Sequence, residues 1–397
     1  MRKFGPKTLF ASVVNLVSST NNDGYSSALR RSWQQIGQRF SQTPVKSSLA
    51  EVREKVSSDF FKDIFQKDLK SSKRLTYRGM YIYAADGDVL DLPSSEDVLD
   101  KGYRGHQWSK TEETHYPKMY TVQAIDLISG ETRGFAYSHQ PGECRLAWPM
   151  IDQFEKNSIT IYDRLYDSFE TAKRHINAGS YFFIRVKSKN PSLALAIQEF
   201  CRSKKRSAWI KLFPPYRQRP HPPLEIRLIK VKNKGKGEDF VFMTNVAEGL
   251  ISNKDAASFY LRRWGIEGAF KNLTDTLKMC QWHSKKLNGI LQEIYALLWL
   301  VNQVRRLTAG IAVQSKRWLS LEYEKVNFKA AMLTLTDNLA LLFRRKYRTL
   351  NRLMVYWATR GIEKRKHLSR SYPRQVKRRG KEYINASRVG RRPTAAA

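Results

Sequence analysis

Apolar residues in the first 75 positions recur at helical spacing. One periodic stretch covers residues 9–16 and a second covers 26–40. A third begins near Ser47 or Ser48 and runs through Leu49, Val52, Val56, Phe60, Phe61 and Ile64, with Glu51 placed for a capping box. From residue 76 the pattern favours strands. Residues 80–86 are a β-rich run ending on Asp86 and Gly87, and residues 118–127 and 132–138 read as a hairpin around Ile128, Ser129 and Gly130. A helix over 145–155 follows, then a short buried strand over 158–163 ending on Asp163. A helix over 168–178 and a strand over 181–186 complete the run. Strands first, then alternating β and α, predict an α/β mixed sheet with flanking helices.

Residues 188–255 break that alternation and read as a β-rich insertion. Residues 213–223 are a proline-rich irregular linker. Residues 225–231 and 240–244 pair as strands around the Lys and Gly cluster at 232–237, which lacks the P-loop spacing and is a hairpin tip. Beyond 255 the chain is mostly helical to about 360. The expected segments are an N-terminal helical DNA-binding domain (1–75), a sheet-bearing core in two parts (76–187 and 256–315), the insertion (188–255), and a helical and basic C-terminal region (316–397).

Charge narrows the partner. Lys and Arg number 71 against 36 Asp and Glu, a formal net charge of +35 over 397 residues. Such a surplus repels itself and points to a polyanion, nucleic acid first. An anionic membrane is the weaker alternative. The longest apolar run, 294–301, is too short to span a bilayer and predicts a buried helix. The opening Met1-Arg-Lys-Phe-Gly-Pro6 has no apolar leader, so no signal peptide is expected. Cys144, Cys201 and Cys280 suit a reducing compartment, and a cytoplasmic location is expected. Cys280 and His283 make one Cys-x2-His pair, read as a helix end and not a zinc site. Between 344 and 392 stand 18 Lys or Arg and two acids, Glu363 and Glu382, a basic arm with little fold of its own toward its end.

The segment Tyr260-Leu-Arg-Arg-Trp-Gly-Ile-Glu267-Gly-Ala-Phe-Lys271 sets a hydroxyl, a guanidinium, a carboxylate and an ammonium at 260, 263, 267 and 271. Those spacings follow one side of an α-helix, while Phe259, Ile266, Phe270, Leu273 and Leu277 follow another and face a core. Asp86 and Asp163 stand at strand ends, where α/β sheets commonly place active sites. Carboxylates from two strands and one helix can hold two Mg²⁺ ions about 4 Å apart. Asp88 and Asp91 read as loop or surface beyond the first strand; Glu143, near His139, could support the site from behind its ligands, but nothing local fixes it.

In order, Asp86-Gly-Asp-Val-Leu-Asp-Leu-Pro93, Asp163-Arg-Leu-Tyr166, Met243-Thr-Asn245 and Tyr260-x2-Arg263-x3-Glu267 resemble the bacterial insertion-sequence transposases named after insertion sequence four. The resemblance covers roughly residues 45–310. It implies an RNase H-like fold interrupted by a β-rich insertion, with Asp86, Asp163 and Glu267 as a DDE triad holding two Mg²⁺, for which Mn²⁺ can substitute. It implies cut-and-paste transposition by 3′-end hydrolysis and strand transfer, with a hairpin step in related members. The partners would be terminal inverted repeats, target DNA and a second copy in a synaptic homodimer, in a bacterial, nucleoid-associated setting. Tyr260, Arg263, Arg164, Lys271 and Lys278 would contact DNA. Trp264 or Trp209 would stack on a flipped base, with core packing the plainer reading of Trp264. The family signature is Tyr-x2-Arg-x3-Glu-x6-Lys, and its Lys falls on Thr274 here, with Lys271 and Lys278 one turn to either side. Thr274 favours a second reading, an impaired or domesticated transposase-derived DNA-binding protein; the intact triad favours the enzyme. A nuclease that cuts without joining is a third.

Overall fold

A computed structural model describes residues 4–18, 24–71, 74–106, 114–187, 195–215, 221–232, 239–266, 281–313 and 327–360, all within the unit Met1–Ile362. Its centre is an eight-stranded sheet in the order β3-β2-β1-β4-β5-β8-β7-β6. The strands are β1 (Tyr81–Asp91), β2 (Lys118–Asp126), β3 (Thr132–Ser138), β4 (Ser158–Tyr162), β5 (Tyr181–Arg185), β6 (Ser207–Leu212), β7 (Leu224–Val231) and β8 (Phe240–Thr244). The first three form an antiparallel meander, and β4 and β5 run parallel to β1. The order 3-2-1-4-5 with those directions is RNase H-like, and helices flank the sheet as expected. Strands of the 188–255 region extend the same sheet, because β8 pairs antiparallel with β5. Asn245 prolongs that pairing with its side chain: it accepts from Phe182 N at 3.0 Å and donates to Ser180 O at 2.9 Å.

The two-residue period sorts side chains between faces. Ile82, Ile159, Ile161, Phe183, Ile229 and Phe242 pack with Phe259 of α9 (Ala256–Leu261), while Ala84 and Ile125 receive Ile266. Ala85, Val122, Tyr162, Phe182 and Ile184 face the other way. They meet α6 (Glu143–Ile151), α7 (Phe169–Ala178) and α8 (Leu195–Arg202).

The helices α1 (Pro6–Ser18), α2 (Tyr25–Gln35), α3 (Lys46–Lys55) and α4 (Asp59–Ser71) close on one apolar core with the long α10 (Leu287–Val313). The same core takes in the short α5 (Glu96–Asp100) through Val98, α11 (Phe328–Asp337), α12 (Leu339–Phe343) and α13 (Tyr347–Arg360), and the far ends of β1 and β2 through Leu90 and Met119. A buried ion pair pins α3 to α10. Arg53 Nη2 donates to Glu293 Oε1 and to Gly289 O, both at 2.8 Å, and its Nε donates to Gln292 at 3.0 Å. Burial alone would push Glu293 up, but Arg53 and His283 hold it below the ordinary carboxylate range. No helix among the described residues is long and apolar enough to cross a membrane.

Three local expectations change. The third helix is two helices, α3 and α4. The chain opens at Val56 (φ −99°, ψ 125°), because Gln292 and Asn288 of α10 bind the freed carbonyls of Arg53 and Val56 at 2.7–3.3 Å. No capping box forms: the residue before α3 is Val45, with no side-chain cap. The second helix ends at Gln35, followed by Gly37 at φ +81°. Most consequentially, β1 does not stop at Asp86 but pairs with β2 as far as Asp91, whose carboxylate bonds Lys118.

His175 of α7 is fully buried between Tyr162 Oη (2.9 Å from Nε2) and Ser180 Oγ (2.8 Å from Nδ1), and burial holds its pKa down to about 3. Its folded pKa lies below the unfolded value of about 6.5, so the unfolded chain binds the extra proton between those limits. Stability should be full above about pH 6.5 and fall with acid through that window, by up to about 1.4 kcal/mol per pH unit from this group. Chemical unfolding of His175→Gln across that window should show a shallower acid slope than wild type; an unchanged slope would contradict the assignment.

Candidate active site

The ladder between β1 and β4 ends at Ala84 opposite Ile161. Counting on two places in that register sets Asp86 opposite Asp163, both on the face that carries α9. Beyond Tyr162 the chain leaves the sheet in a 3-10 turn (Arg164–Tyr166), and Asp163 caps it by accepting from Leu165 N at 2.6 Å. Asp86 remains in the strand, held only by β2 on its other side. The turn leaves the amide of Gly87 without a strand partner on the β4 side.

Glu143 takes that amide. Its Oε1 accepts from Gly87 N at 2.8 Å. Glu143 opens α6 directly after Gly142, whose φ of +144° suits only glycine and turns the chain toward β1. The carboxyl lies flat on Gly87: a Cβ there would come within 2.6 Å of Glu143 Oε2. By strand alternation Gly87 faces the α6 side and Asp86 the α9 side, so two acids approach one strand from opposite faces.

Arg263 supplies the counter-charge. Its Nη1 donates to Asp86 Oδ2 at 2.8 Å, with both side chains largely buried. Burial pushes Asp86 up to about 7; Arg263 opposes this, and the Glu143 and Asp163 charges add to it. Burial likewise raises Glu143, with Asp163 contributing. Tyr260, half-buried with its ring 4.9 Å from that of Phe242, completes the surround. Burial raises its hydroxyl, while the charges of Arg263 and Arg185 hold it down. The site therefore gathers acids on the sheet and cations at its margin, an arrangement suited to anionic phosphate and hard cations.

Asp86, Asp163, Tyr260 and Arg263 are thus brought together. Arg164 is exposed on the turn beside Asp163. Trp264 is 60% exposed, which removes the core-packing reading; Trp209 on β6 is 55% exposed. Glu267, Lys271, Thr274 and Lys278 lie outside the described residues. The expected continuous helix is broken. α9 ends at Leu261, Arg262 and Arg263 form a turn closed by three-residue hydrogen bonds, and helix resumes at Trp264. That turn lets Phe259 and Ile266 reach different apolar clusters while Arg263 reaches Asp86. Asp88, read as loop, is in the strand, and burial raises it. Glu143 and Arg185 carry no local sequence signal. Only the need for a glycine at 87 and 142 hints at the first.

Residues 77–303 match the family model described as a transposase DDE domain. A search of curated proteins gives no match. Among matching solved structures is a cryo-electron microscopy structure of the piggyBac transposase synaptic complex with hairpin DNA. It is 13% identical, with a TM-score of 0.47, covering 98% of this chain and 81% of that one.

Gly87→Ala should displace the Glu143 carboxyl and leave that amide only its longer bond to Asp86 Oδ1 (3.1 Å), costing about 1–3 kcal/mol. In a Glu143→Ala background the same change should cost less, giving a coupling of at least ~0.5 kcal/mol in a double-mutant cycle of unfolding free energies. Strict additivity would mean that the two residues do not touch.

Proposed function

Because the chain belongs to the transposase DDE domain family, we propose that it catalyses cut-and-paste transposition of an insertion sequence. It would cut DNA at the element's terminal inverted repeats and join the freed 3′ ends to target DNA. The observation that carries this reading is the pairing of Asp86 with Asp163 at the open end of the β1–β4 ladder, with Arg263 against the first acid. Within the family, the ordered motifs favour the group named after insertion sequence four. Asp86, Asp163 and Glu267 are proposed as the triad.

The donor set fits a hard divalent cation, since the acids offer carboxylate oxygens at a buried site with more negative than positive charge in contact. Among the described residues no three acidic, His or Cys side chains yet enclose one cation position; Arg263 engages the Asp86 oxygen instead. Asp86 and Asp163, with Glu267, would hold two Mg²⁺, or Mn²⁺ in its place. Bound there, the metals would activate a water or 3′ hydroxyl and stabilise the leaving oxygen.

The protein's own part is positioning. Arg263 carries a planar fork of donors that matches a phosphate as well as a carboxylate, so it can pass from Asp86 to the DNA backbone once Asp86 is otherwise engaged. Tyr260 would donate its hydroxyl hydrogen to a neighbouring phosphate, since its raised pKa keeps it protonated. Arg164, Lys271 and Lys278 would extend the backbone grip, which positions DNA without reading sequence. Exposed Trp264 and Trp209 are candidates to stack on an unpaired base. A homodimer would bring two ends together in the cytoplasm of a bacterial cell, on the nucleoid. Thr274 keeps the second reading in play, a DNA-binding protein without cleavage.

With Mg²⁺ and a duplex ending in the element's inverted repeat, the purified protein should nick the 3′ end and join it to a target duplex. Asp86→Ala, Asp163→Ala or Glu267→Ala should cut the rate roughly a thousandfold or more while binding persists. Binding without nicking by the wild type would favour the second reading, and nicking without joining a simple nuclease. Binding should also weaken steeply with salt, with a log–log slope of about −4 or steeper; a flat dependence would argue against a phosphate-gripping surface.

A further inference from the structure

Glu143 is built into the centre more firmly than a surface acid at a helix start. Its carboxyl is fixed on the Gly87 amide at 2.8 Å. The strand carries glycine where any Cβ would collide with it. Only Oε1 is used in that bond, and the carboxyl also lies beside the Asp86 side chain. A second observation points into the same place. The Tyr166 hydroxyl is fully buried against the Glu143 carboxyl, yet it makes no well-aligned hydrogen bond there, and it lies in the field of Asp86. An unpaired buried hydroxyl costs about 1–3 kcal/mol unless something fills the space before it. A hydrated cation brings the oxygen that would pair with it.

Charge bookkeeping points the same way. Two divalent cations carry four positive charges and the proposed triad offers three negative ones, with Arg263 adding a further positive charge nearby. We infer that Glu143 is a fourth carboxylate of the metal centre, binding a divalent cation beside Asp86 through the oxygen that does not bond Gly87 N. This rests on the DDE reading above, but it assigns to the centre an acid outside the triad. Asp86 then stands between two helical elements, α6 bringing Glu143 on one face of β1 and the α9 turn bringing Arg263 on the other.

The test is Mn²⁺ binding to the full-length protein without DNA, followed by the electron paramagnetic resonance signal of free Mn²⁺. Glu143→Gln keeps an acceptor for Gly87 N–H and removes the charge, so the fold should survive; circular dichroism and Tm check this. Mn²⁺ affinity of at least one site should fall about tenfold or more, and cleavage by the variant should be restored in part by raising Mn²⁺. A residue that merely braced β1 would show neither the binding loss nor the rescue. Asp86→Asn and Asp163→Asn are run alongside. If they lose Mn²⁺ while Glu143→Gln binds as wild type does, the inference about Glu143 fails and the triad reading stands. If wild type binds no Mn²⁺, the metal centre itself fails, and this inference with it. Gly87→Ala is the second variant, displacing the carboxyl without altering its charge; it should weaken Mn²⁺ binding in the same direction, and unaltered binding would overturn the assignment.

Discussion

The site depends on one mismatch of lengths. β1 pairs with β2 through Asp91, but its parallel pairing with β4 stops at Ala84. Past that point β1 has one edge satisfied and one edge open. A backbone amide left open inside a protein must find a partner, and here the partner is a carboxylate from α6. The same opening sets Asp86 and Asp163 on one face without a ladder between them. Had β4 continued, the Gly87 amide would have gone to the sheet and Glu143 would have had no fixed seat.

Holding several acids together in a half-buried place is costly, and the surrounding structure supplies the rigidity to do it. The raised pKa values of Asp86 and Glu143 express that cost directly. The β1–β2 hairpin is gripped at its far end by the helical core through Leu90 and Met119. Its β3 edge is covered by α10, where Asn302 exchanges hydrogen bonds with the Thr132 backbone at 2.8 and 2.9 Å. α10 is tied in turn to α3 by the Arg53–Glu293 pair. Breaking such a buried pair strands a charge and typically costs 3–5 kcal/mol. The N-terminal helices therefore share a core with the element that braces the central sheet.

Much of this was legible in the sequence because it is local. The hairpin of β2 and β3, the short strands β4 and β5 and the helix α7 all follow from two-residue or helical periods and turn residues. What misled was also local. Asp86-Gly-Asp88 reads as a turn, yet β2 supplies enough pairing to carry the strand through it. Residues 47–64 read as one helix, yet Asn288 and Gln292, more than 200 positions away, hold it open. The stripe from Tyr260 presumed an unbroken helix; a turn at Arg262 and Arg263 lets the chain satisfy two apolar clusters and an ion pair at once. Glu143 could not be placed from the sequence for the same reason. Its meaning lies in Gly87, 56 residues earlier, and no periodic pattern links the two.

The position of Arg263 reconciles two facts that otherwise pull apart. The chain carries +35, which draws a polyanion toward it, while its sheet end gathers acids, which repel one. A guanidinium at the boundary can serve either partner. Bonded to Asp86, it lowers the cost of assembling the acids in the protein alone. Bonded to a phosphate, as proposed, it would free that acid for a cation. If the phosphate draws the guanidinium away from Asp86, as the proposed function has it, cation binding at Asp86 and phosphate binding at Arg263 would favour one another, by the reciprocity that links any two ligands sharing one two-state element. A lysine could not hold the same position equally well, because its single ammonium offers no planar fork to match a carboxylate and a phosphate in turn.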